Sequence, residues 1–174
     1  MTDVMWTCDR SCDNHIVAAE LHEFLSRDHE RLDALLARCM RSIDTEAYDL
    51  FRRGLLRHIA IEERVLFPLF RASDAMTDVE EQLHRDHAAL AALLVPPPTH
   101  AEIAQIAVIL EPHNELEERH GGMYERIEQL SAGELASLMT RVHAVAEVRV
   151  APHADSAIVR SSIEQLLRAA GRSM

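Results

Sequence analysis

Two short stretches of the sequence each place a histidine and a glutamate four residues apart. The first runs from His58 to Glu62 and the second from His113 to Glu117, and both read H-x-x-x-E-E-R. On an α-helix, residues four apart lie one turn apart on the same face. An imidazole and a carboxylate placed in this way can bind one metal ion, or one ion each of a pair.

A second pattern, centred on a histidine, is also repeated. Residues 27–36 and residues 85–94 both read R-D-H-x-x-L-x-A-L-L, with His29 and His87 at the third position. The order along the chain is therefore a histidine, then H-x-x-x-E, and then both again. Matching neighbours at similar spacing indicate an internal repeat.

Packing of these segments against one another would bring four imidazoles and two carboxylates together. The candidate metal ligands are His29, His58, Glu62, His87, His113 and Glu117. Imidazole suits Fe, Zn, Cu and Ni, whereas Mg and Ca prefer oxygen ligands. Since no cysteine lies in the repeated patterns, iron–sulfur and thiolate zinc sites are disfavoured. Six protein ligands do not saturate two octahedral ions, so positions remain for water, oxide, dioxygen, peroxide or nitric oxide.

The bulk properties are typical of a single helical domain. The chain has 174 residues, only 4% aromatic residues and few glycines and prolines, which favours helices over strands. A net charge of −11 disfavours nucleic acid and anionic membranes as partners. We find no apolar run that could span a membrane and no signal peptide. The three cysteines, an odd number, favour a reducing cytoplasm over a disulfide framework.

Apolar periodicity predicts an all-α protein with four helices in the repeat and two beyond it. We expect an up-down-up-down four-helix bundle with two additional C-terminal helices. The predicted parts are a tail over residues 1–16, the bundle over residues 17–130 and a helical extension over residues 131–174. The extension could cap the bundle or form a homodimer contact.

Local signals predict where these helices begin, bend and end. The first helix could break near Ser26, the second begins at Thr45, and the third begins with a capping box at Thr77. A fourth helix begins with a capping box at Thr99 and continues to about Leu130. Pro68 should distort the end of the second helix, and Pro112 should bend the fourth. Gly121-Gly122 should weaken the fourth helix again. Two later helices are expected, one after Glu134 and one from Ser156.

The repeated patterns, together with Leu66-Phe67-Pro68, resemble the hemerythrin-like family of HHE cation-binding domains, in its bacterial form. The resemblance covers about residues 17–130. It implies a non-haem di-iron centre with bridging carboxylates and an oxo or hydroxo bridge, in which zinc could substitute for iron. Carried over position by position, the ligands would be the six residues already named.

Two departures from the oxygen-carrying members separate this chain from simple oxygen transport. Those proteins have a fifth histidine on the third helix, a role that His84 could fill although it lies three residues before His87 rather than four. Their second carboxylate is an aspartate five residues after its histidine, whereas Glu117 follows His113 by four. We therefore expect a protein that binds iron and, through it, dioxygen or another small diatomic or peroxide ligand, for sensing, storage or oxidative and nitrosative protection.

Two alternatives remain open. One is a di-iron peroxidase or oxidase, although the sequence leans away from an enzyme and assigns no catalytic residue. The other is a regulatory or structural helical bundle that uses the metal for folding. A binding protein in the cytoplasm, without nucleic-acid or membrane partners, is the favoured interpretation.

For several residues near the candidate ligands, the sequence allows more than one role. Glu63 and Glu118 point about 100° away from the ligand glutamates on a helix, which favours a surface position or a place behind a ligand. His22 and His120 are expected at the surface or above the site. Tyr124 could donate a hydrogen bond to a bound oxygen species, but packing is favoured. Cys8 and Cys12 read as free thiols in a tail, with a redox pair or an accessory metal site as the alternative.

Overall fold

The computed structural model describes residues 10–71 and 77–172, with side chains from Glu20 onwards except that of Thr77. The described residues form helices and no strand, which confirms the all-α prediction. The helices are α1 (Arg10–Arg41), α2 (Thr45–Ile61), α3 (Phe67–Arg71), α4 (Thr77–Leu93), α5 (His100–Glu118), α6 (Met123–Leu130), α7 (Leu135–His143) and α8 (Ala157–Ala169), with a π-helical segment at Glu62–Leu66 between α2 and α3.

Helix starts agree with the capping signals in the sequence. The Thr99 side chain accepts from the Glu102 amide while the Glu102 carboxylate accepts from the Thr99 amide, which completes the capping box that opens α5. Asp44 accepts from the Ala47 amide at the start of α2. The first amides of both helices therefore have partners that no residue within the helix could supply.

The predicted break at Ser26 is wrong, because α1 is continuous across that position. Serine only weakly disfavours a helix interior. Leu25 and His29 are both buried, four residues apart, and packing of this face holds the helix together through Ser26. The helix begins at Arg10, inside the segment predicted as a tail, and residues 1–9 lie outside the described part of the chain.

Pro68 distorts the backbone on its N-terminal side. The turn before it is π-helical from Glu62 to Leu66, and the Phe67 amide donates to the Glu62 carbonyl. A proline ring clashes with the carbonyl four residues earlier, and a wider turn relieves that clash. By contrast, α5 continues through Pro112 to Glu118. The first H-x-x-x-E-E-R sequence therefore ends in a widened turn, whereas the second ends where α5 ends.

The predicted fourth helix is not continuous to Leu130, because a turn over residues 119–122 separates α5 from α6. Gly121 has φ of 73°, a left-handed conformation that favours glycine. A Cβ atom on Gly122 would lie 2.6 Å from the Glu117 and Arg119 carbonyl oxygens. Both glycines are thus needed for this turn, and the weak point expected at Gly121-Gly122 is a full break.

The apolar core consists of two clusters with a polar layer between them. The Phe51 cluster includes Leu32, Leu36, Phe51, Leu55, Leu90 and Leu110. The Phe67 cluster includes Leu21, Leu25, Ile61, Phe67, Leu83 and Ile127. In each of the four helices of the repeat, the candidate histidine lies at the boundary between the two clusters. Along α1 and α4 the Phe67 cluster comes before the histidine, and along α2 and α5 the Phe51 cluster comes first.

The C-terminal helices pack against the repeat. Helix α7 contacts α1 and the π-helical segment, and α8 lies along α4. Leu167 and Ile163 of α8 belong to the Phe51 cluster. None of the described helices combines the length and apolar character needed to cross a bilayer.

Candidate metal centre

The six residues singled out from the sequence lie together between the two apolar clusters. All six are buried, and the side chains of Glu62 and Glu117 are fully inaccessible to solvent. The four histidines come from four helices: His29 from α1, His58 from α2, His87 from α4 and His113 from α5. The repeated sequence patterns therefore supply the side chains of one cluster.

The donor atoms form two overlapping groups of four. His29 and His58 belong to one group, His87 and His113 belong to the other, and Glu62 and Glu117 belong to both. In each group, the donor atoms all lie within 4.8 Å of one another. Each group could hold one metal ion.

Each carboxylate divides its two oxygens between the groups. Glu62 Oε1 lies 3.2 Å from His58 Nε2, and Glu62 Oε2 lies 3.1 Å from His87 Nε2. Likewise, Glu117 Oε2 lies 3.4 Å from His29 Nε2 and Glu117 Oε1 lies 3.2 Å from His113 Nε2. This is the arrangement that carboxylates need in order to bridge two cations.

Several of these donor atoms have no hydrogen-bond partner among the described residues. Glu62 Oε2, Glu117 Oε1 and His87 Nε2 are buried and make no hydrogen bond of good geometry, although Glu62 Oε2 and His87 Nε2 lie 3.1 Å apart. A buried polar atom without a hydrogen bond costs roughly 1–3 kcal/mol, and a cation shared by these atoms would offset that cost. A set of four imidazoles and two carboxylates fits a transition-metal cation better than Mg or Ca. The residues present therefore fit a metal centre.

A second ring of carboxylates faces the outer nitrogens of the same imidazoles. Asp28 Oδ2 lies 3.0 Å from His58 Nδ1, and Asp86 Oδ2 lies 3.7 Å from His113 Nδ1. Each of these aspartates precedes a candidate ligand histidine in sequence but faces the histidine of the neighbouring helix. The R-D-H pattern thus supplies one inner ligand and one outer carboxylate.

Glu63 and Glu118 complete this ring across the repeat. Glu63 Oε1 lies 2.8 Å from His87 Nδ1, and Glu118 Oε1 contacts His29 Nδ1. A hydrogen bond at Nδ1 fixes the tautomer and leaves Nε2 free to bind a metal. The prediction that these glutamates lie behind the ligands agrees with the structure. Sequence reasoning missed Asp28 and Asp86, although their recurrence in both R-D-H patterns was a usable signal.

The electrostatics of the cluster favour charged imidazoles when protons, rather than metals, balance the carboxylates. Burial disfavours the charged form of His58, but the Glu62 and Asp28 carboxylates outweigh it and raise its pKa to about 10. Burial likewise lowers the pKa of His113, but the Glu117 and Asp86 carboxylates outweigh it and raise this pKa to about 10. The pKa of Glu62 is lowered, because the neighbouring His58 and His87 outweigh its burial. Metal binding must therefore displace protons here.

Tyr124 lies closer to the candidate ligands than the sequence indicated. Its ring packs in the Phe67 cluster, as expected. Its hydroxyl, however, lies 2.7 Å from Glu62 Oε1 and 3.1 Å from Glu117 Oε2. Burial and these two carboxylates raise the pKa of Tyr124 well above its usual value.

The other histidines weighed from sequence lie outside both groups of donors. His84 is 58% exposed at its side chain and contacts Glu63 at 2.8 Å rather than any of the six candidate ligands. The side chain of His120 is 97% exposed and pairs with Glu125.

Among the cysteines, Cys39 is a buried free thiol. The side chains of Cys8 and Cys12 lie outside the described residues.

A small cavity adjoins the centre on the side of the Phe51 cluster. Its volume is about 10 Å³, close to the minimum that holds one water molecule. The lining residues are His29, Leu32, Asp33, Leu55, His58, Ile59, Leu110, His113 and Asn114. As it stands, this space therefore holds about one water molecule.

The chain matches a protein-family model. The family model described as hemerythrin HHE cation binding domain matches residues 20–120, a range that contains all six candidate ligands. No significant match was found among curated proteins or among solved structures.

Proposed function

Because the chain belongs to the hemerythrin HHE cation-binding family, we propose that it binds two iron ions in a non-haem centre and, through them, dioxygen or a related small ligand. His29, His58, Glu62, His87, His113 and Glu117 would hold the ions, and Glu62 and Glu117 would bridge them. Iron in such a centre supplies reversible binding of small oxygen or nitrogen species. The protein would serve in sensing, storage or protection.

One observation carries this proposal. Both buried carboxylates present one oxygen to the first pair of histidines and the other oxygen to the second pair, at 3.1 to 3.4 Å. A single ion would leave two histidines without a role, whereas two ions bridged by both carboxylates use every inner donor. The imidazole-rich donor set favours iron or zinc over Mg and Ca.

The packing supports an up-down-up-down bundle as the scaffold. The order of the two apolar clusters reverses from α1 to α2 and again in α4 and α5. That alternation is what antiparallel neighbours produce. The division into a bundle and an extension at residue 130, and a homodimer through the C-terminal helices, stay predictions.

The cavity of about 10 Å³ beside three of the histidines supports a small ligand. Leucine and isoleucine side chains form its apolar wall, and its small volume excludes organic substrates from this cavity. A centre buried in this way suits dioxygen, nitric oxide or peroxide.

Measuring the iron content per chain tests the proposal. We expect about two iron ions per chain in protein loaded with iron(II) without air, since the two donor groups hold one ion each. His58→Ala should reduce this towards one or none, while His100→Ala, a change at an exposed histidine outside the cluster, should leave it unchanged. Full iron occupancy in His58→Ala would contradict the ligand assignment.

The small-ligand half of the proposal has a separate readout. Adding azide or dioxygen to the loaded protein should produce a new charge-transfer band. Iron loading without such a band would favour the alternative in which the metal only stabilises the fold. Turnover of hydrogen peroxide that disappears in Glu62→Ala would favour the enzyme alternative.

A further inference from the structure

The hydroxyl oxygen of Tyr124 is in contact with all four donor atoms of one metal group. Besides its contacts with the two carboxylates, it lies 3.2 Å from His29 Nε2 and 3.3 Å from His58 Nε2. The oxygen of a buried tyrosine that needed only a hydrogen-bond acceptor would have one or two such neighbours. Four neighbours at this distance place it among the donors.

The spacing of these atoms is that of ligands around one ion. In an octahedral site with bonds of about 2.1 Å, neighbouring ligand atoms lie roughly 3.0 Å apart. His29 Nε2 lies 2.8 Å from His58 Nε2, and the separations between these nitrogens and the nearest carboxylate oxygens are 3.2 and 3.4 Å. The Tyr124 oxygen lies 2.7 to 3.3 Å from all four, which is the same spacing.

We propose that Tyr124 is a seventh protein ligand, bound through its phenolate oxygen to the ion held by His29, His58, Glu62 and Glu117. The inference rests on the proposed function, since it requires an ion at that position. As the oxygen–metal bond forms, the phenolic O–H bond breaks and the proton is released to solvent.

The two metal positions would then differ in a way that the repeat does not show. Tyr124 follows His113 by eleven residues, and the residue eleven after His58 is Leu69, which has no donor atom. The position between His87 and His113 therefore has four protein donors, while the other has five. By this count, the ion held by His87 and His113 would keep more open coordination positions than the ion bound by Tyr124.

Helix α6 carries Tyr124 to this place. The turn over residues 119–122 separates α6 from α5, and α6 packs against both α1 and α5. Tyr124 is the second residue of α6, and its hydroxyl contacts Glu62 and Glu117 in the layer between the two apolar clusters. The same two glycines that interrupt the helix thus set the position of the phenol.

The chain offers a matched control for a spectroscopic test. It has only two tyrosines, and Tyr48 is buried in the Phe51 cluster with a hydroxyl that has no hydrogen-bond partner among the described residues. Iron(III) phenolates absorb in the visible region, and resonance Raman excitation in that band enhances vibrations of the tyrosine ring. Imidazole and carboxylate ligands give no such ring vibrations.

The experiment compares iron(III)-loaded wild type, Tyr124→Phe and Tyr48→Phe by iron content and resonance Raman spectroscopy. We expect phenolate ring modes in wild type and in Tyr48→Phe, and their complete loss in Tyr124→Phe at an unchanged iron content. Ring-deuterated tyrosine incorporated into Tyr48→Phe should shift these modes, which tests the proposal even if Tyr124→Phe does not fold.

Two results would overturn the inference, and they are distinguishable. Two iron ions per chain without phenolate modes would leave Tyr124 as a hydrogen-bond donor to Glu62 and would leave the proposed function intact. No iron binding in wild type would overturn both.

Discussion

Asp28 shows how a single side chain outside the inner cluster acts on it. The carboxylate accepts from His58 Nδ1 at 3.0 Å, and Arg31 donates to its other oxygen. Burial opposes its charge, but His58 and Arg31 hold its pKa at about 2. It therefore stays ionised, holds the His58 ring in one orientation, and raises the basicity of the nitrogen that faces the metal.

We expect Asp28→Asn to weaken metal binding without removing a ligand. The amide keeps the shape and a hydrogen bond but loses the charge, and loss of such a partner costs about 10–100-fold in metal affinity. Chelator competition measures this. The control is Asp155→Asn, the same change at an exposed ion pair with Arg160. Equal affinities in the two variants would show that Asp28 has no effect on the centre.

For individual residues, the sequence predicted which six side chains cluster and that Glu63 and Glu118 could lie behind them, but it missed the other residues in contact with the cluster. The six ligand candidates follow from two repeated spacings, because helical periodicity fixes which residues share a face. Asp28 and Asp86 were missed since each acts on a histidine of another helix, which no spacing along one helix reveals. Tyr124 has no counterpart in the first repeat, so repetition could not indicate it.

Among the helices, the irregular segments matter most for the centre. The π-helical turn begins at Glu62, and the break after Glu118 follows directly on the second E-E pair. The sequence predicted the start of α5 from its capping residues, which act locally. It did not predict the full break at Gly121-Gly122, because two glycines lower helix propensity without determining where the next helix packs.

Gly122→Ala tests whether that break positions α6. The new methyl group would lie 2.6 Å from the Glu117 and Arg119 carbonyl oxygens, and backbone atoms cannot rotate away as a side chain can. We expect a loss of about 1–3 kcal/mol in the free energy of unfolding, measured by urea titration, and a lower iron content. Gly133→Ala is the control, because a Cβ atom at that position would meet nothing within 4 Å. Similar losses in both variants would refute a specific role for the turn.

For the whole molecule, the polar layer links parts that are far apart in sequence. Metal ligands come from four helices, and the C-terminal segment joins them through Arg172, which donates to Asp86 at 3.1 Å. Asp86 in turn faces His113. Any change in the charge of this layer therefore affects both apolar clusters and α8 together, and it should appear in the global stability.

The pH dependence of stability is the corresponding test, on protein stripped of metal by a chelator. His58 and His113 have folded pKa values of about 10 against 6.5 for free imidazole. Between these values the folded chain binds more protons than the unfolded one, so the free energy of unfolding falls as pH rises, by about 1.4 kcal/mol per pH unit for each imidazolium. On the acid side, the lowered pKa values of Glu62 and Asp28 make stability fall as pH drops below about 4.

Iron should reverse the alkaline part of this profile. Imidazole binds metal without its proton, so binding is favoured as pH rises and the stabilisation by iron grows over the same window. Urea titrations from pH 6 to pH 9 with and without iron(II), in the absence of air, should therefore give diverging curves. Parallel curves would show that His58 and His113 do not exchange protons for metal, which the proposed centre requires.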